Sequence, residues 1–262
     1  MDLRVAVINI LIVFAITYVL FGIILFLTQR SMMYFPNNQS FEDCAGFVDY
    51  EKINHKGTRM YYKEGSDKAI VYYHGNAGSA CDRSFTKPVF EKTNATMIFV
   101  EYAGYSNDKR KPSRKLILKD VENVHDFMKE KKFSKIVVHG QSIGSGAASY
   151  HASLGGVDKL ILATSFSSMA DVAKTQYFIY PVRILLRENY DNSEWLQNYE
   201  GQVLIIHGSR DFIIPSKHSK KLYEKLSTEK KEYVLIEGRG HNDIWGSEEF
   251  KEKLGEFLIN KK

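Results

Sequence analysis

Three polar residues of this chain have the types and the chain order that nucleophilic catalysis requires. A serine hydroxyl is a weak nucleophile until a neighbouring base takes its proton, and a histidine base needs an acid that orients its ring. Ser142, Asp211 and His241 follow one another in the order serine, acid, histidine. The sequence therefore predicts a reaction in which Ser142 is acylated and water then releases the acyl group.

Ser142 lies at the centre of a G-x-S-x-G motif, residues 140–144. The preceding residues 135–139 include a β-branched apolar run, and the following residues 145–149 are mostly very small. This pattern predicts a strand, a sharp turn and a helix, with the serine hydroxyl raised above the end of a sheet. The two glycines of the motif leave room for a strained turn of that kind.

Asp211 and His241 each follow an apolar run that is typical of a buried strand, at residues 203–206 and 233–236. We expect His241 to accept the proton of Ser142 during attack and to return it to the leaving group. Asp211 would hold the tautomer of that histidine. Considered singly, Asp211 also fits a turn or a helix cap, and His241 also fits an exposed loop.

The negative charge that develops on the substrate needs preorganised hydrogen-bond donors. We expect one donor to be the backbone N–H of Ile143, directly after the serine. We expect the other to be the backbone N–H of Asn76, in the segment 74–78 that follows the first strong strand pattern.

Other titratable residues fit a structural role better than a catalytic one. Asp243 is a rival acid, but it is too close to His241 in sequence to follow a different strand. His74, His139 and His207 each end a predicted strand, and we interpret them as structural or pocket-lining. No two histidines have zinc spacing, and a glycine-rich phosphate loop is absent. The sequence therefore predicts neither a metal nor a cofactor.

Strand and helix patterns alternate along most of the chain, which predicts an α/β fold with a mainly parallel central sheet and flanking helices. Residues 166–200 lack a strand pattern but are rich in aromatic residues, and we expect a small helical cap insertion over the carboxyl edge of the sheet. The predicted strands are 69–73, 97–100, 136–138, 160–163, 203–206 and 233–236, and the predicted helices are 115–131, 219–226 and 247–259.

The N-terminal segment differs from the rest in kind, because residues 5–29 carry no charged side chain. As a helix, the strongly apolar residues 5–27 would be about 34 Å long, which is enough to cross a bilayer. The alternatives are a cleaved signal peptide, whose small-residue cleavage site is lacking here, and a buried helix of a soluble domain. We expect a retained single-pass anchor, and the nearly balanced flanking basic residues leave its orientation undetermined.

Composition excludes some classes of partner. The 262 residues are 44% hydrophobic and 26% charged, which suits one large globular domain. The net charge of +5 comes from scattered basic residues without an aromatic-interleaved stripe, so no nucleic-acid partner is expected. Cys44 and Cys81 are expected to be free buried thiols, with a single bridge as the alternative in an oxidising compartment.

Seven short motifs of the chain form a recognisable set: 74–78 (HGNAG), 102–106 (YAGYS), 140–144 (GQSIG), 181–186 (PVRILL), 190–191 (YD), 207–211 (HGSRD) and 240–243 (GHND). Together they resemble the membrane-anchored α/β-hydrolase-domain serine hydrolases, a family related to the protein depalmitoylases. The resemblance implies the α/β-hydrolase fold, a triad of Ser142, Asp211 and His241, a single N-terminal anchor, and ester or thioester substrates. The chain departs from the family at Ala103, in the loop 104–107 and in lacking an N-terminal cysteine cluster.

The predicted organisation is a transmembrane anchor over residues 1–30 and an α/β-hydrolase domain over residues 31–262, with the cap at 166–200. We expect a membrane protein that hydrolyses a small acyl or lipid-like ester or thioester. An amidase or peptidase with the same triad is one alternative, and a catalytically silent membrane-anchored binding protein is another. The sequence determines neither the natural substrate, nor the compartment, nor the oligomeric state.

Overall fold

The computed structural model describes residues 2–260, in which strands and helices alternate as the sequence predicts. The strands are β1 (Phe35–Pro36), β2 (Glu51–His55), β3 (Thr58–Lys63), β4 (Ser66–Tyr73), β5 (Ala77–Gly78), β6 (Ala95–Glu101), β7 (Lys135–Gln141), β8 (Lys159–Ala163), β9 (Gln202–Gly208) and β10 (Lys231–Ile236). The α-helices are α1 (Leu3–Met33), α2 (Lys87–Glu91), α3 (Arg114–Lys131), α4 (Gly144–Ser153), α5 (Met169–Gln176), α6 (Val182–Leu185), α7 (Asn192–Trp195), α8 (Lys217–Lys225) and α9 (Glu248–Ile259).

Eight strands form one central sheet in the order β10-β9-β8-β7-β4-β6-β3-β2. The strands from β10 to β6 pair in parallel, whereas β3 and β2 are antiparallel and close one edge. Successive residues of the inner strands belong to two different apolar clusters, Val203 and Ile205 to one, Leu204 and Ile206 to the other. Because side chains alternate across a sheet, both of its faces are buried. The predicted α/β fold with a mainly parallel sheet is confirmed.

The edge hairpin of β2 and β3 is the part of the sheet that the sequence patterns above do not predict. β2 is largely exposed and mixes charged and apolar residues, and the buried run of β3 is short, only Met60 to Tyr62, with charged residues on either side. The turn between them is Lys56–Gly57, and both residues have positive φ, +52° and +87°. A two-residue turn of this kind favours a tight hairpin, and it is the local signal that was available.

Helix α1 has 31 residues and is long and apolar enough to cross a membrane, as its best window has a mean hydropathy of 3.0. The residues after the apolar segment do not form a free connector. The helix continues to Met33, and β1 then pairs in parallel with β5, with Phe35 beside Ala77. The end of α1 is therefore held against the loop that contains Asn76.

Cys44 and Cys81 form a disulfide, which corrects the expectation of two free thiols. Their Cα atoms lie 5.8 Å apart, at the starts of two short 3₁₀ turns, Ala45–Phe47 and Cys81–Thr86. The residues are 37 positions apart in sequence, and two cysteines with no local motif give no sign of pairing. The alternative that the sequence left open, a single bridge, is the one observed.

Candidate active site

Ser142 lies at the turn between β7 and α4 with φ of +55°, in the left-handed region that non-glycine residues rarely adopt. A Cβ atom on Gly140 would lie 2.3 Å from the carbonyl oxygen of Gly144. A Cβ atom on Gly144 would lie 2.3 Å from the carbonyl oxygen of Tyr73. The close approach of the backbone therefore requires glycine at both positions. The Ser142 N–H donates to the carbonyl oxygen of Ala163 at 2.9 Å, which holds the turn against β8.

The structure brings the three predicted residues together. His241 Nε2 lies 2.8 Å from Ser142 Oγ, and His241 Nδ1 lies 2.6 Å from Asp211 Oδ2. With Nδ1–H donating to the carboxylate, Nε2 is left to accept the serine O–H. Asp211 follows β9 and His241 follows β10, and these neighbouring parallel strands place both loops at the same edge of the sheet.

Asp211 is buried and its two carboxylate oxygens accept from both sides. Oδ1 accepts the backbone N–H groups of Ile213 at 2.9 Å and Ile214 at 2.8 Å. Oδ2 lies 3.0 Å from His207 Nε2, in addition to the contact with His241. Burial opposes ionisation, but the hydrogen bonds from His207 and His241, with that from Ile214 N–H, hold the pKa of Asp211 well below its usual range. The carboxylate is therefore ionised at neutral pH.

His207 is fully buried, and its contact with Asp211 is the feature of the site that sequence reasoning missed. Its Nε2 lies between Asp211 Oδ2 and the carbonyl oxygen of Ile214, 2.8 Å away, so it can donate to both. The available signal was the spacing of four residues between histidine and aspartate at the end of a strand. His207 fixes the position of the acid without touching the cavity.

The other residues that the sequence singled out lie elsewhere. His74 and His139 are fully buried and do not line the cavity, and burial lowers the pKa of His139 to about 3. Asp243 Oδ1 accepts the backbone N–H of Gly240 at 2.6 Å, so this rival acid supports the loop that carries His241.

The two predicted oxyanion donors line the same cavity as Ser142 and His241. The carbonyl oxygen of Asn76 accepts the N–H of Phe35 and the O–H of Tyr105, at 3.1 and 2.8 Å, which fixes the peptide. Among residues 2–260, the N–H groups of Ile143 and Asn76 have no intramolecular acceptor. Both N–H groups are thus available to an incoming oxygen atom.

The cavity beside Ser142 has a volume of about 470 Å³, within the usual size range of small-molecule sites. Its lining is mostly apolar and comes chiefly from three parts of the chain: the loops that carry Asn76, Ser142 and His241, the segment 166–200 expected to form a cap, and the last turns of α1. From the cap, Met169, Val172 and Leu186 face it. No group of His, Cys, Asp and Glu side chains that could hold a metal occurs in the part of the chain that is described.

Comparison with known proteins supports the fold described above. No family model matches the chain. The Mycobacterium tuberculosis protein Rv2307c is 27% identical over 237 residues, covering 85% of this chain and 84% of its own length. The α/β hydrolase domain-containing protein 17C of Xenopus tropicalis is 28% identical over 205 residues, which cover 74% of this chain and 62% of that protein. Among solved structures, esterase PF2001 of Pyrococcus furiosus matches with a TM-score of 0.66 at 16% identity, and the match covers 86% of this chain and 97% of the esterase chain.

Fold and comparisons together define the class: the chain has the α/β-hydrolase fold. Its similarity to the α/β-hydrolase domain-containing proteins 17B and 17C confirms the resemblance that the motifs indicated.

Proposed function

We propose that this protein is a membrane-anchored serine hydrolase that cleaves a carboxylic ester or thioester of a small acyl or lipid-like substrate. The single observation that carries the proposal is the unbroken hydrogen-bond chain from Ser142 Oγ through His241 to the ionised Asp211, at 2.8 and 2.6 Å. Ser142 and His241 line an apolar cavity, as an acyl substrate requires.

The reaction follows from the contacts. His241 Nε2 takes the serine proton while Ser142 Oγ bonds to the acyl carbon, and Asp211 stabilises the resulting imidazolium. The N–H groups of Ile143 and Asn76 donate hydrogen bonds to the oxyanion. Loss of either donor would reduce the stabilisation of the transition state by about 2.7–4 kcal/mol. His241 then protonates the leaving alcohol or thiol, and water repeats the sequence to release the acid.

Membrane anchoring and domain boundaries belong to the same proposal. Residues 1–30 would be a retained single-pass anchor, residues 31–262 the hydrolase domain, and residues 166–200 its cap. The apolar α1 supports the anchor, and three short helices, α5 to α7, support the cap. An ester substrate is favoured over an amide because solved structures of the same fold include proteins described as esterases and a monoacylglycerol lipase.

The test is labelling of the detergent-solubilised full chain with a fluorescent fluorophosphonate, together with hydrolysis of p-nitrophenyl esters. Ser142→Ala should abolish both while the protein stays folded, because it removes the hydroxyl that lies 2.8 Å from His241 Nε2. The matched control is Ser149→Ala, which removes a buried hydroxyl of α4 that does not line the cavity, and it should keep both.

Hydrolysis retained in a folded Ser142→Ala protein would overturn the proposal. Absence of labelling in the folded wild type would also overturn it, in favour of the catalytically silent binding protein. Preference for amides over esters in a substrate panel would favour the amidase or peptidase.

A further inference from the structure

One wall of the cavity comes from the helix proposed as the anchor. Leu25, Phe26, Gln29, Met32 and Met33 of α1 all line the space beside Ser142. A helix that served only as a tether would leave the substrate pocket complete without it. Here the pocket is open on one side unless these last turns of α1 are in place.

Hydrogen bonds fix this part of α1 to the cap. Gln29 is 6% exposed in a helix whose other side chains are mostly exposed. Its side-chain oxygen accepts the backbone N–H groups of Arg187 at 2.7 Å and Glu188 at 3.3 Å. One residue further on, Arg30 Nε lies 2.7 Å from Glu188 Oε1. A buried, satisfied amide and a half-buried ion pair hold the wall in one position.

The cap also follows α1 toward its middle. The rings of Tyr18 and Tyr180 stack with centroids 4.5 Å apart. The Tyr180 O–H donates to the carbonyl of Tyr18, and the Tyr18 O–H donates to the carbonyl of Ile179. Gly22 permits this approach, because a Cβ there would lie 3.1 Å from the Tyr180 ring. From residue 18 to residue 30 the cap covers about 18 Å of helix.

The length of α1 places the cavity at the membrane surface. Its 31 residues extend about 46 Å, whereas the hydrocarbon core of a bilayer is about 30 Å thick. The surplus turns, at the end nearest the hydrolase domain, are those that line the cavity. Beside them the cap exposes Phe178, Ile179 and Ile184, which are 75%, 59% and 81% exposed. Exposed apolar side chains next to interfacial tyrosines are typical of a surface that enters a bilayer.

We propose that the segment of α1 from Leu25 to Met33 is the acyl-binding wall of the active site. The substrate would be an amphiphilic ester or thioester of the bilayer, whose acyl chain passes laterally from the leaflet along this wall to Ser142. This inference rests on the proposed hydrolase function and adds the substrate class and its direction of entry.

The experiment compares two tryptophan substitutions two residues apart, on opposite sides of α1, in the full-length, detergent-solubilised protein. Leu25→Trp places a larger side chain in the cavity at this wall. Leu27→Trp is the matched control, since Leu27 is 68% exposed and does not line the cavity. Leu25→Trp should lower kcat/KM for p-nitrophenyl palmitate about tenfold or more, because pocket discrimination per methylene-sized change reaches that order. It should lower p-nitrophenyl acetate hydrolysis much less than palmitate hydrolysis, because the short acyl group reaches less of this wall. Leu27→Trp should change neither rate.

Equal effects of the two variants on palmitate hydrolysis would overturn the inference, and so would an equal loss of both activities in Leu25→Trp. Labelling rates with short-alkyl and long-alkyl fluorophosphonates give a second measurement, in which the long-alkyl rate should fall much more than the short-alkyl rate in Leu25→Trp. If the wild type hydrolyses acetate but shows no activity on palmitate, the inference fails while the proposed function stands. If the folded wild type is neither labelled nor active on either ester, the proposed function itself fails.

Discussion

At the scale of single residues, Asp211 has no spare acceptor position. Two backbone N–H groups face Oδ1 and two imidazole rings face Oδ2. In Asp211→Asn, the amide NH₂ must point at one of these donor sets. We expect kcat to fall by roughly 10⁴, the order found when a triad aspartate becomes asparagine, because the histidine is left in the wrong tautomer. Ester hydrolysis by purified protein measures the loss.

The control for this prediction is Asp243→Asn. Asp243 also lies near His241 in sequence, but its Oδ1 accepts only the N–H of Gly240 within the same loop. An asparagine oxygen can accept the same hydrogen bond, so activity should stay close to that of the wild type. Comparable losses in both variants would contradict the assignment of Asp211 as the orienting acid.

The order of Ser142, Asp211 and His241, each after an apolar run, was enough to predict that they would meet. Parallel strands end at one edge, so residues that follow those strands converge whatever lies between them. His207 shows where such reasoning stops. Its position at a strand end was visible, but whether its ring turns toward Asp211 depends on packing against residues distant in sequence.

At the scale of elements, two helical glycines should respond oppositely to alanine. A Cβ on Gly146 of α4 would lie 2.5 Å from the Tyr190 ring, which is fully buried and tied to Tyr34 by a hydrogen bond of 3.0 Å. A Cβ on Gly255 of α9 would meet nothing within 4 Å. Gly146→Ala should therefore lower the free energy of unfolding by about 1–3 kcal/mol, and Gly255→Ala should raise it by about 1 kcal/mol.

Thermal unfolding of the detergent-solubilised variants checks both signs. If Gly146→Ala unfolds at the wild-type temperature, then α4 and the cap residue Tyr190 pack less tightly than described. If Gly255→Ala is destabilising, the space around residue 255 of α9 is more crowded than described.

Elements differed in how far their sequence predicted them. The inner strands were evident because burial on both faces demands continuous apolar runs. The hairpin of β2 and β3 was not, because the exposed edge strand β2 needs no apolar run and the buried run of β3 is only three residues long, Met60 to Tyr62. The docking of α1 on the cap was also hidden. Gln29 ends an uncharged run that is explained equally well by lipid or by a protein partner, and only the structure shows that it binds Arg187 and Glu188.

At the scale of the whole molecule, the bridge between Cys44 and Cys81 predicts on which side of the membrane the proposed anchor would hold the proposed hydrolase domain. Disulfides persist in oxidising compartments and are rare in the cytosol of mesophiles. We expect the denatured, unreduced chain to resist a thiol-reactive maleimide and to react after reduction. Cys44→Ser should make Cys81 reactive without reduction and should cost about 4 kcal/mol of stability, given the 37-residue separation.

The opposite result, with both thiols reactive in unreduced chain from fresh membranes, would place the domain in a reducing compartment. Glycosylation offers an independent measurement. Asn38 and Asn94 lie in acceptor sequences, 38–40 and 94–96, and both side chains are exposed. In a eukaryotic host, a domain on the oxidising side would present both to the glycosylation machinery.

The contacts of Gln29 and Arg30 have a practical consequence for inhibitor discovery. A soluble fragment that begins at residue 31 would be the natural choice for screening, but it would lack Leu25, Phe26 and Gln29, and Glu188 would lose its ion pair. Compounds selected on that fragment would fit a cavity that lacks this wall, rather than the complete cavity of the full chain. Hits that grow into the missing wall would lose potency in membranes, so screening should use the intact chain.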